Sequence, residues 1–405
     1  MNGNIEQVSL TNGLESSFYN VHGSMISIKN KKKCSGCSAC ASICPTNSIS
    51  MIADEEGFLY PSVDIMKCIG CNLCDKTCPF LNPFKKNILK SHIFAAVSND
   101  SLIRRESSSG GVFSELAKII LERGGVIFGA VFDDNWNVCH SYIDKYDSLK
   151  KLMKSKYVQS VIGESYRASQ VRLREGKSVL FAGTSCQIAG LRHFLRKDYE
   201  NLVTLEILCH GSPSPYIWHL YLDSQVKRYG YSISDIKSVS FRDKVEGMTE
   251  YKISIEMNDR KVISHFFYED AYMNAFLSNL VLRPSCHSCK AKNGCSGSDL
   301  IVGDLWNRYH KAPFNDSNGT SVVLVNTNKG LSLLKQCNLT ISEIGYDVVG
   351  FNKNSGFQEK QFVNPYRKKF FREVNQNNVQ DLLRIYSDIP FYWRIIRRIK
   401  RIFKI

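Results

Sequence analysis

The sequence lacks any long apolar segment. No run of about 18 apolar residues occurs, so the sequence predicts no membrane-spanning helix. The opening segment, Met1–Ser27, is polar and lacks the apolar core of a secretory signal peptide, which predicts a cytoplasmic protein. No G-x-G-x-x-G sequence follows a predicted strand, and this argues against a standard dinucleotide-binding fold.

Cysteine, by contrast, is abundant. The chain has 15 cysteines, and a reducing cytoplasm disfavours structural disulfides. Dense cysteine in such a protein indicates metal or redox chemistry, and the spacing of the residues decides between the two.

A C-x2-C-x2-C-x3-C-P motif occurs twice, at Cys34–Pro45 and at Cys68–Pro79. This is the two-cluster ferredoxin signature, in which three close thiolates bind one cubane and the fourth cysteine reaches the other. Zinc is the alternative, but structural zinc sites use separated CxxC pairs, which two intact triplets do not resemble. We therefore predict two [4Fe–4S] clusters, one on Cys34, Cys37, Cys40 and Cys78 and the other on Cys68, Cys71, Cys74 and Cys44.

Four further cysteines lie downstream. Cys186 and Cys209 each follow a strand-like run and sit in glycine-containing turns, where functional residues concentrate. Cys286 and Cys289 form a CxxC pair after a proline. Together these thiols could hold a third [4Fe–4S] cluster. Alternatively, the first two are ordinary buried cysteines and the pair is inert or half of a zinc site.

The hydrophobic pattern predicts a mixed α/β (α+β) chain, in which a ferredoxin-like two-cluster domain precedes a larger mixed α/β flavin and iron–sulfur domain. The predicted boundaries are a polar lead-in at 1–28, the ferredoxin-type domain at 29–85, the larger domain at 90–330 and a C-terminal extension at 331–405. Strands are expected at Ser48–Ala53, Phe58–Tyr60, Ile93–Val97, Val126–Phe132, Val179–Ala182, Leu202–Leu208 and Leu300–Val302, with antiparallel strands within 236–268. Helices are expected at Val112–Glu122, Ile188–Leu195, Ile217–Tyr229 and from about residue 375 onward.

Several short motifs of the larger domain together resemble one known family. They are Glu106–Phe113, Ser155–Gln159, Gly183–Leu191, Cys209–Gly211, Phe241–Lys244, Arg283–Lys290, Ser298–Asp299 and Gly303–Trp306. In this combination the chain resembles the coenzyme F-420 hydrogenase/dehydrogenase beta-subunit family, in a form with a fused N-terminal ferredoxin domain. The resemblance covers about residues 30–326.

The resemblance implies a flavin-dependent iron–sulfur oxidoreductase. Family members use FAD beside a [4Fe–4S] cluster, and the family's cluster cysteines fall on Cys186, Cys209, Cys286 and Cys289. Their substrate is a deazaflavin or another organic molecule, and similar proteins occur in surface-polysaccharide biosynthesis. This chain departs from the usual pattern at Ser185, Leu305, Asn307 and Cys295, which leaves the substrate and any use of a deazaflavin open.

A small-residue loop before the predicted helix at Val112 is the candidate flavin site. Helix N-termini offer unpaired N–H groups, and glycine lets a phosphate approach the backbone closely. The predicted cofactor-binding residues are Ser108, Ser109, Gly110 and Gly111, with charge added by Lys156 and Arg242. The alternative is that Ser109 merely caps the helix and the glycines form a tight turn. The sequence identifies no catalytic acid or base.

The leading functional hypothesis is an enzyme. A redox partner protein or reduced ferredoxin would supply electrons to the N-terminal clusters, and a third cluster and FAD would deliver them to an organic substrate. The reverse direction of electron flow is left open by the sequence. The first alternative is a non-catalytic electron-transfer subunit of a larger complex. The second is a basic nucleic-acid-binding metalloprotein, suggested by the net charge of +15. No nucleic-acid partner is expected, because six of these charges lie in the last fifteen residues and the other nine are spread along the rest of the chain.

The last residues form a basic amphipathic pattern. Wound as a helix, Tyr392–Ile405 places isoleucines and aromatics on one face and five Arg or Lys residues on the other. The pattern predicts peripheral binding to an anionic membrane at its cytoplasmic face. The alternative is a helix packed on the protein's own core.

Overall fold

A computed structural model describes residues 26–85, 92–245, 247–306, 313–314, 317–349, 356–357 and 361–388. The strands are β1 (Ile49–Ala53), β2 (Leu59–Val63), β3 (His92–Ser98), β4 (Val126–Phe132), β5 (Val138–Ile143), β6 (Val179–Thr184), β7 (Leu202–Ile207), β8 (Ile236–Asp243), β9 (Lys252–Met257), β10 (Val262–Phe266), β11 (Leu300–Asp304), β12 (Ser321–Val325) and β13 (Leu339–Glu343). The α-helices are α1 (Ala39–Ile43), α2 (Leu73–Thr77), α3 (Ser101–Glu106), α4 (Val112–Glu122), α5 (Leu149–Leu152), α6 (Ser165–Arg174), α7 (Ser185–Leu195), α8 (Pro215–Lys227), α9 (Ala271–Leu277), α10 (Asn328–Leu334), α11 (Tyr346–Val349), α12 (Arg367–Glu373) and α13 (Val379–Ser387).

The N-terminal unit repeats one backbone shape. Each cysteine triplet ends in a short helix, α1 or α2, and the residue before each helix is left-handed, with φ of 61° at Ser38 and 57° at Asn72. The glycines in the two C-x-G-C turns, Gly36 and Gly70, also have positive φ, a conformation that glycine adopts without strain. Between the halves, β1 and β2 form an antiparallel hairpin. The predicted ferredoxin-type unit is therefore confirmed.

An eight-stranded mixed sheet organises the larger unit. Its order is β13-β3-β12-β11-β7-β6-β4-β5, and the four strands β11, β7, β6 and β4 run parallel. Successive residues of β4 and β6 point to opposite faces, so Ile127 and Leu180 pack against α4 while Phe128 and Phe181 pack against α6 and α7. Because parallel strands end at one edge, the loops after β4, β6, β7 and β11 lie together.

A smaller layer covers one side of this edge. The antiparallel sheet β10-β9-β8 and helices α8, α9 and α13 share an aromatic core that includes Trp218, Phe241 and Tyr272. The antiparallel strands predicted within 236–268 are confirmed, and so is the mixed α/β class. Strand β13, which lies beyond the predicted boundary at residue 330, pairs with β3 at the edge of the large sheet.

The helix at Val112–Glu122 has the predicted bounds, but two other helices begin earlier than their apolar pattern indicated. Helix α7 starts at Ser185 because Thr184 and Gln187 form a capping box, and α8 starts at Pro215 because the Ser214 hydroxyl accepts from the N–H of Ile217. None of the helices in the described part of the chain has the length and apolar character of a bilayer span. The lead-in through residue 25 and the tail from residue 389 lie outside the described residues.

Candidate redox centres and an adjoining cleft

The second cysteine triplet and Cys44 surround one cavity. This outer quartet, Cys44, Cys68, Cys71 and Cys74, lines a space of about 360 Å³ together with Thr46 and Ser48. Although burial opposes it, hydrogen bonds from Ser48 and Thr46 lower the pKa of Cys44 to about 7, which favours the thiolate that iron requires. The structure thus brings together the four residues that the spacing assigned to one cluster.

The other assigned set, the inner quartet, comprises Cys34, Cys37, Cys40 and Cys78. Burial raises the pKa of Cys37 to about 12, and the negative charges of Cys78 and Cys34 raise it further. The pKa of Cys40 is shifted in the same direction by burial and by the other three thiols of the set. Bound iron would relieve this mutual repulsion of the thiolates.

The outer quartet is arranged around open space. Within the described part of the chain, no three Cys, His, Asp or Glu side chains are grouped tightly enough to coordinate a single metal ion. A cubane places its iron atoms at four corners, so its ligands surround a volume. The donor set of the N-terminal unit, four thiols for each of two sites, fits two [4Fe–4S] clusters.

A third group of thiols, the cleft quartet, comprises Cys186, Cys209, Cys286 and Cys289. It is assembled from the start of α7, the loop after β7 and the 3-10 turn Pro284–Ser288. Burial raises the pKa of Cys209 to about 12; Lys292 opposes this shift, and Cys286 and Cys289 add to it. Burial and the charges of Cys289 and Cys209 likewise hold the pKa of Cys186 well above its usual range. The structure therefore brings together the four cysteines that the family resemblance assigned to a third cluster.

The inner and cleft quartets both meet helix α7, whose first turn contains Cys186. The charge of Cys37 also contributes to the raised pKa of Cys186. At Gly190 in α7, an added β-carbon would lie 3.1 Å from the sulfur of Cys37. The outer quartet differs from both in exposure, because its Cys71 is exposed.

Arg283 joins the N-terminal unit to the larger unit. Its guanidinium donates to the carbonyl oxygens of Cys34 and Leu59, at 2.8 Å each, and to Oε1 of Gln159 at 3.0 Å. The same group lies 4.2 Å from the ring centre of Tyr60. A second arginine, Arg167, donates to main-chain carbonyls at the end of α1. Sequence analysis did not identify either contact.

A cleft opens where the parallel strands of the large sheet end. It encloses about 1410 Å³, part of it open solvent, and its walls include Lys156, Cys209 and Arg242. Ligands of open α/β sheets bind at this edge. Of the predicted cofactor-binding residues, Ser108, Ser109, Gly111, Lys156 and Arg242 line the cleft.

Gly110 has a different role from the one predicted. Its N–H donates to the hydroxyl of Ser321 at 3.0 Å, and an added β-carbon would lie 2.3 Å from the carbonyl oxygen of Ala96. Gly110 therefore allows the loop to pack closely against strands β3 and β12. It is not among the residues that line the cleft.

The start of α4 lacks a side-chain cap. The N-cap residue is Gly111, with φ of 93°, and the hydroxyl of Ser109 donates instead to the carbonyl of Thr320 at 3.0 Å. Ser109 is thus not the helix cap that the alternative interpretation proposed. The first-turn residues Val112 and Phe113 line the cleft, and first-turn N–H groups have no acceptor within their own helix.

Arg242 lines the cleft and is almost completely buried. Its Nη1 pairs with the carboxylate of Asp304 at 2.5 Å, and the side chain is only 3% exposed. No partner for Nε and Nη2 exists among the described residues. Buried guanidinium donors are normally satisfied, so the arrangement fits an anionic ligand beside the aromatic rings of Tyr251 and Trp306, which lie 4.8 and 5.8 Å from the guanidinium.

Two lysines differ in their relation to the cleft. Lys156 Nζ donates to the carbonyls of Met153 and Lys154, at 2.9 and 3.4 Å, and burial together with Lys154 lowers its pKa to about 7. Lys244 Nζ donates to three main-chain carbonyls, those of Arg104, Ser109 and Asn318. Lys244 thereby fixes the loop that precedes α4, a role that no local sequence pattern indicated.

Comparison with known proteins agrees with this organisation. Residues 33–82 match the 4Fe-4S dicluster domain, and residues 176–343 match the family described as the C terminus of the coenzyme F420 hydrogenase/dehydrogenase beta subunit. The coenzyme F420-dependent sulfite reductase of Methanocaldococcus jannaschii is 32% identical over 110 residues, which are 27% of this chain and 17% of that protein. The chain thus spans a small part of that relative's length.

Among solved structures, the F420-reducing [NiFe] hydrogenase complex from Methanosarcina barkeri, studied as a xenon derivative, gives a TM-score of 0.43 at 15% identity. That alignment covers 76% of this chain and 90% of the other.

Proposed function

We infer that this chain, which joins a 4Fe-4S dicluster domain to the C-terminal domain of the coenzyme F420 hydrogenase/dehydrogenase beta-subunit family, is a flavin-dependent iron–sulfur oxidoreductase. The observation that carries this proposal is the sequence of three cysteine quartets, outer, inner and cleft, that leads to a cleft with unsatisfied cationic donors. All ligands of the first two sites are protein thiolates, so these sites transfer electrons and bind no substrate.

The environments of the quartets support one order of electron transfer. The outer quartet includes the exposed Cys71, whereas Cys37 of the inner quartet is buried and lies against helix α7, which carries Cys186 of the cleft quartet. Electrons from a redox partner protein or reduced ferredoxin would enter at the outer cluster, pass the inner one and reach a third [4Fe–4S] cluster on Cys186, Cys209, Cys286 and Cys289.

FAD is the proposed cofactor of the cleft. A flavin accepts single electrons from clusters and delivers electron pairs to organic molecules. The uncapped start of α4, with Gly111, would hold the diphosphate, and the free donors of Arg242 and the ammonium of Lys156 would neutralise its charge. Gly111 lines the cleft at this point and has a φ of 93°, which glycine adopts without strain.

An organic molecule is proposed as the final electron acceptor. The sulfite reductase relative is coenzyme F420-dependent, as its name states, and the family resemblance extends to proteins of surface-polysaccharide biosynthesis. A deazaflavin and a polysaccharide precursor are therefore the two acceptor classes to assay first.

Anaerobic purification of the full chain tests the proposal directly. We expect about twelve iron atoms per chain, from three cubanes, and a flavin that chromatography identifies as FAD after denaturation. Reduced ferredoxin or an artificial donor should then support reduction of a substrate. Cluster-replete protein that neither contains nor binds FAD would instead support the non-catalytic electron-transfer subunit, and stoichiometric zinc would contradict both.

The basic tail is proposed to hold the protein at a membrane surface. Residues 391–405 contain six Arg or Lys residues and no acidic residue, and each cation near an anionic surface contributes about 1 kcal/mol. This proposal concerns location alone and is independent of the redox chemistry.

A further inference from the structure

We propose that Arg283 is a positioning residue that sets the reduction potential of the inner cluster and fixes that cluster against the third. The inference rests on the proposed function, because it takes the inner quartet to bind the cluster that supplies electrons to the cleft quartet. Arg283 is not among the residues that line the proposed catalytic cleft.

The first support is a contact to a ligand sulfur. Nη2 of Arg283 lies 3.7 Å from Sγ of Cys34, within hydrogen-bonding distance for sulfur. The other cluster-side acceptors of the guanidinium are the main-chain carbonyls of Cys34 and Leu59. A cationic N–H directed at a thiolate ligand stabilises the reduced cluster, which carries one more negative charge than the oxidised cluster.

Burial strengthens this effect. Arg283 is only 1% exposed, and it lies over the rings of Tyr60 and Phe58, at 4.2 and 5.4 Å from their centres. Water therefore screens its charge little, and the field at Cys34 is larger than that of a surface arginine. Gln159 fixes the guanidinium of Arg283, because its Oε1 accepts from Nη1 while its amide donates to the carbonyl of Ser35.

The main chain of Arg283 contacts one ligand of the cleft quartet. The carbonyl of Arg283 accepts from the N–H of Cys286 at 3.0 Å, and its own N–H donates to the carbonyl of Ser212 at 2.9 Å. Ser212 in turn donates its N–H to Sγ of Cys286 at 3.3 Å. One residue thus contacts a ligand of the inner cluster through its side chain and a ligand of the third through its backbone.

Arg283 packs directly against Gly36, where a larger residue would clash with its side chain. Gly36 has φ of +68°, and a β-carbon there would lie 2.7 Å from Nη1 of Arg283 and 2.9 Å from Nε2 of Gln159. At the equivalent position of the outer triplet, Gly70 has nearly the same φ, 65°. The residue at 36 is therefore constrained both by backbone conformation and by the approach of the arginine.

Redox titration of the two N-terminal clusters, followed by electron paramagnetic resonance on the full chain, tests the proposal. In Arg283→Gln we expect the ratio of reduced to oxidised inner cluster at a fixed potential to fall about tenfold, equivalent to a potential about 59 mV lower for one electron. The outer cluster should keep its wild-type potential. Arg167→Gln is the matched control, because Arg167 also bridges the two units but donates to carbonyl and amide oxygens.

Each outcome distinguishes this inference from the proposed function. Wild-type protein that lacks iron contradicts the proposed function itself. Cluster-replete Arg283→Gln with wild-type potentials overturns the role of Arg283 and leaves the proposed function standing. If Arg283→Gln loses the inner iron, Arg283→Lys, which retains the charge without the planar fork, takes its place. Its inner potential should lie between that of wild type and the tenfold-shifted value expected for glutamine, because lysine keeps the charge but loses the N–H directed at Cys34 Sγ. A cluster-replete lysine variant with a potential as low as that expected for glutamine would overturn the role of the charge, and one with the wild-type potential would overturn the role of the directed N–H.

Discussion

The sulfur of Cys37 lies 3.1 Å from the point that a β-carbon of residue 190 would occupy, so Gly190 permits the close approach of the inner quartet to helix α7. The hydroxyl of Tyr166 lies still closer to that point, at 2.7 Å. Glycine at a helix interior normally costs stability, and replacing it with alanine gains about 1 kcal/mol in the absence of a clash.

For Gly190→Ala we therefore expect a loss of stability instead of this gain. The added methyl group should reduce the free energy of unfolding by about 1–3 kcal/mol, the usual cost of overpacking, and should weaken iron retention at the inner quartet. Thermal unfolding and iron assay of anaerobically purified protein measure the two effects. An alanine variant as stable as wild type, with all its iron, would show that the two units are not in contact at this helix.

Replacing Cys286 and Cys289 together with serine should remove the third cluster. Iron content is expected to fall from about twelve to about eight atoms per chain, because serine is a poor substitute for two of the four thiolates. Cys139→Ser is the control, since Cys139 lies in strand β5 outside the three quartets. If the double variant keeps its full iron content, the ligands are elsewhere, and Cys295 is the first residue to replace.

Arg242→Gln should weaken FAD binding by more than tenfold, because a hydrogen bond from a charged donor contributes about 1.5–3 kcal/mol. The substitution also leaves the partly buried carboxylate of Asp304 without its partner, which destabilises the fold. The double variant Arg242→Gln/Asp304→Asn should recover stability but not FAD affinity. Titration of flavin-free protein measures the affinity, with Arg172→Gln, at a partly exposed arginine outside the cleft, as control. Equal affinity of wild type and the double variant would exclude Arg242 from the flavin site.

Lys156 predicts a pH dependence of FAD binding. Burial lowers its pKa to about 7, so above that pH the free protein holds a neutral amine and must take up a proton when the diphosphate binds. Affinity should therefore be constant below about pH 7 and fall up to tenfold per pH unit above it. Lys156→Met should bind weakly at every pH, whereas Lys156→Arg should bind without this dependence.

Other groups near the cleft separate this effect from its alternatives. Burial lowers the pKa of His140 to about 4, so it stays neutral throughout the range, and burial lowers the pKa of Lys244 to about 8. A pH dependence that persists unchanged in Lys156→Arg would point to Lys244 instead.

The C-terminal tail should direct the protein to anionic membranes. Full-length protein is expected to co-sediment with vesicles that contain phosphatidylserine and to be released at high salt, whereas a 1–390 variant should remain in solution. Neutral vesicles serve as the control for apolar binding. Equal partitioning of the two proteins, or binding indifferent to lipid charge, would contradict the attachment.

Local patterns in the sequence were enough to predict the N-terminal unit and most strands of the large sheet. Cysteine spacing paired Cys44 with the second triplet, and helical periodicity placed Val112–Glu122 correctly. The contacts that join the units could not be predicted in this way. Arg283 and Cys34 lie 249 positions apart, and neither residue type nor spacing indicates such a partner. The same holds for Lys244, whose acceptors are main-chain carbonyls and carry no side-chain signature.

The unequal exposure of the two cysteine triplets also determines how the protein would fail in air. Oxidants attack the most accessible thiolates and their clusters first, and Cys71 is exposed whereas Cys37 and Cys40 are buried. Damage should therefore begin at the outer cluster, which disconnects the chain from its donor while the inner centres are intact. Once the outer cluster is lost, the protein would no longer supply electrons to the proposed flavin, which would otherwise reduce oxygen to peroxide.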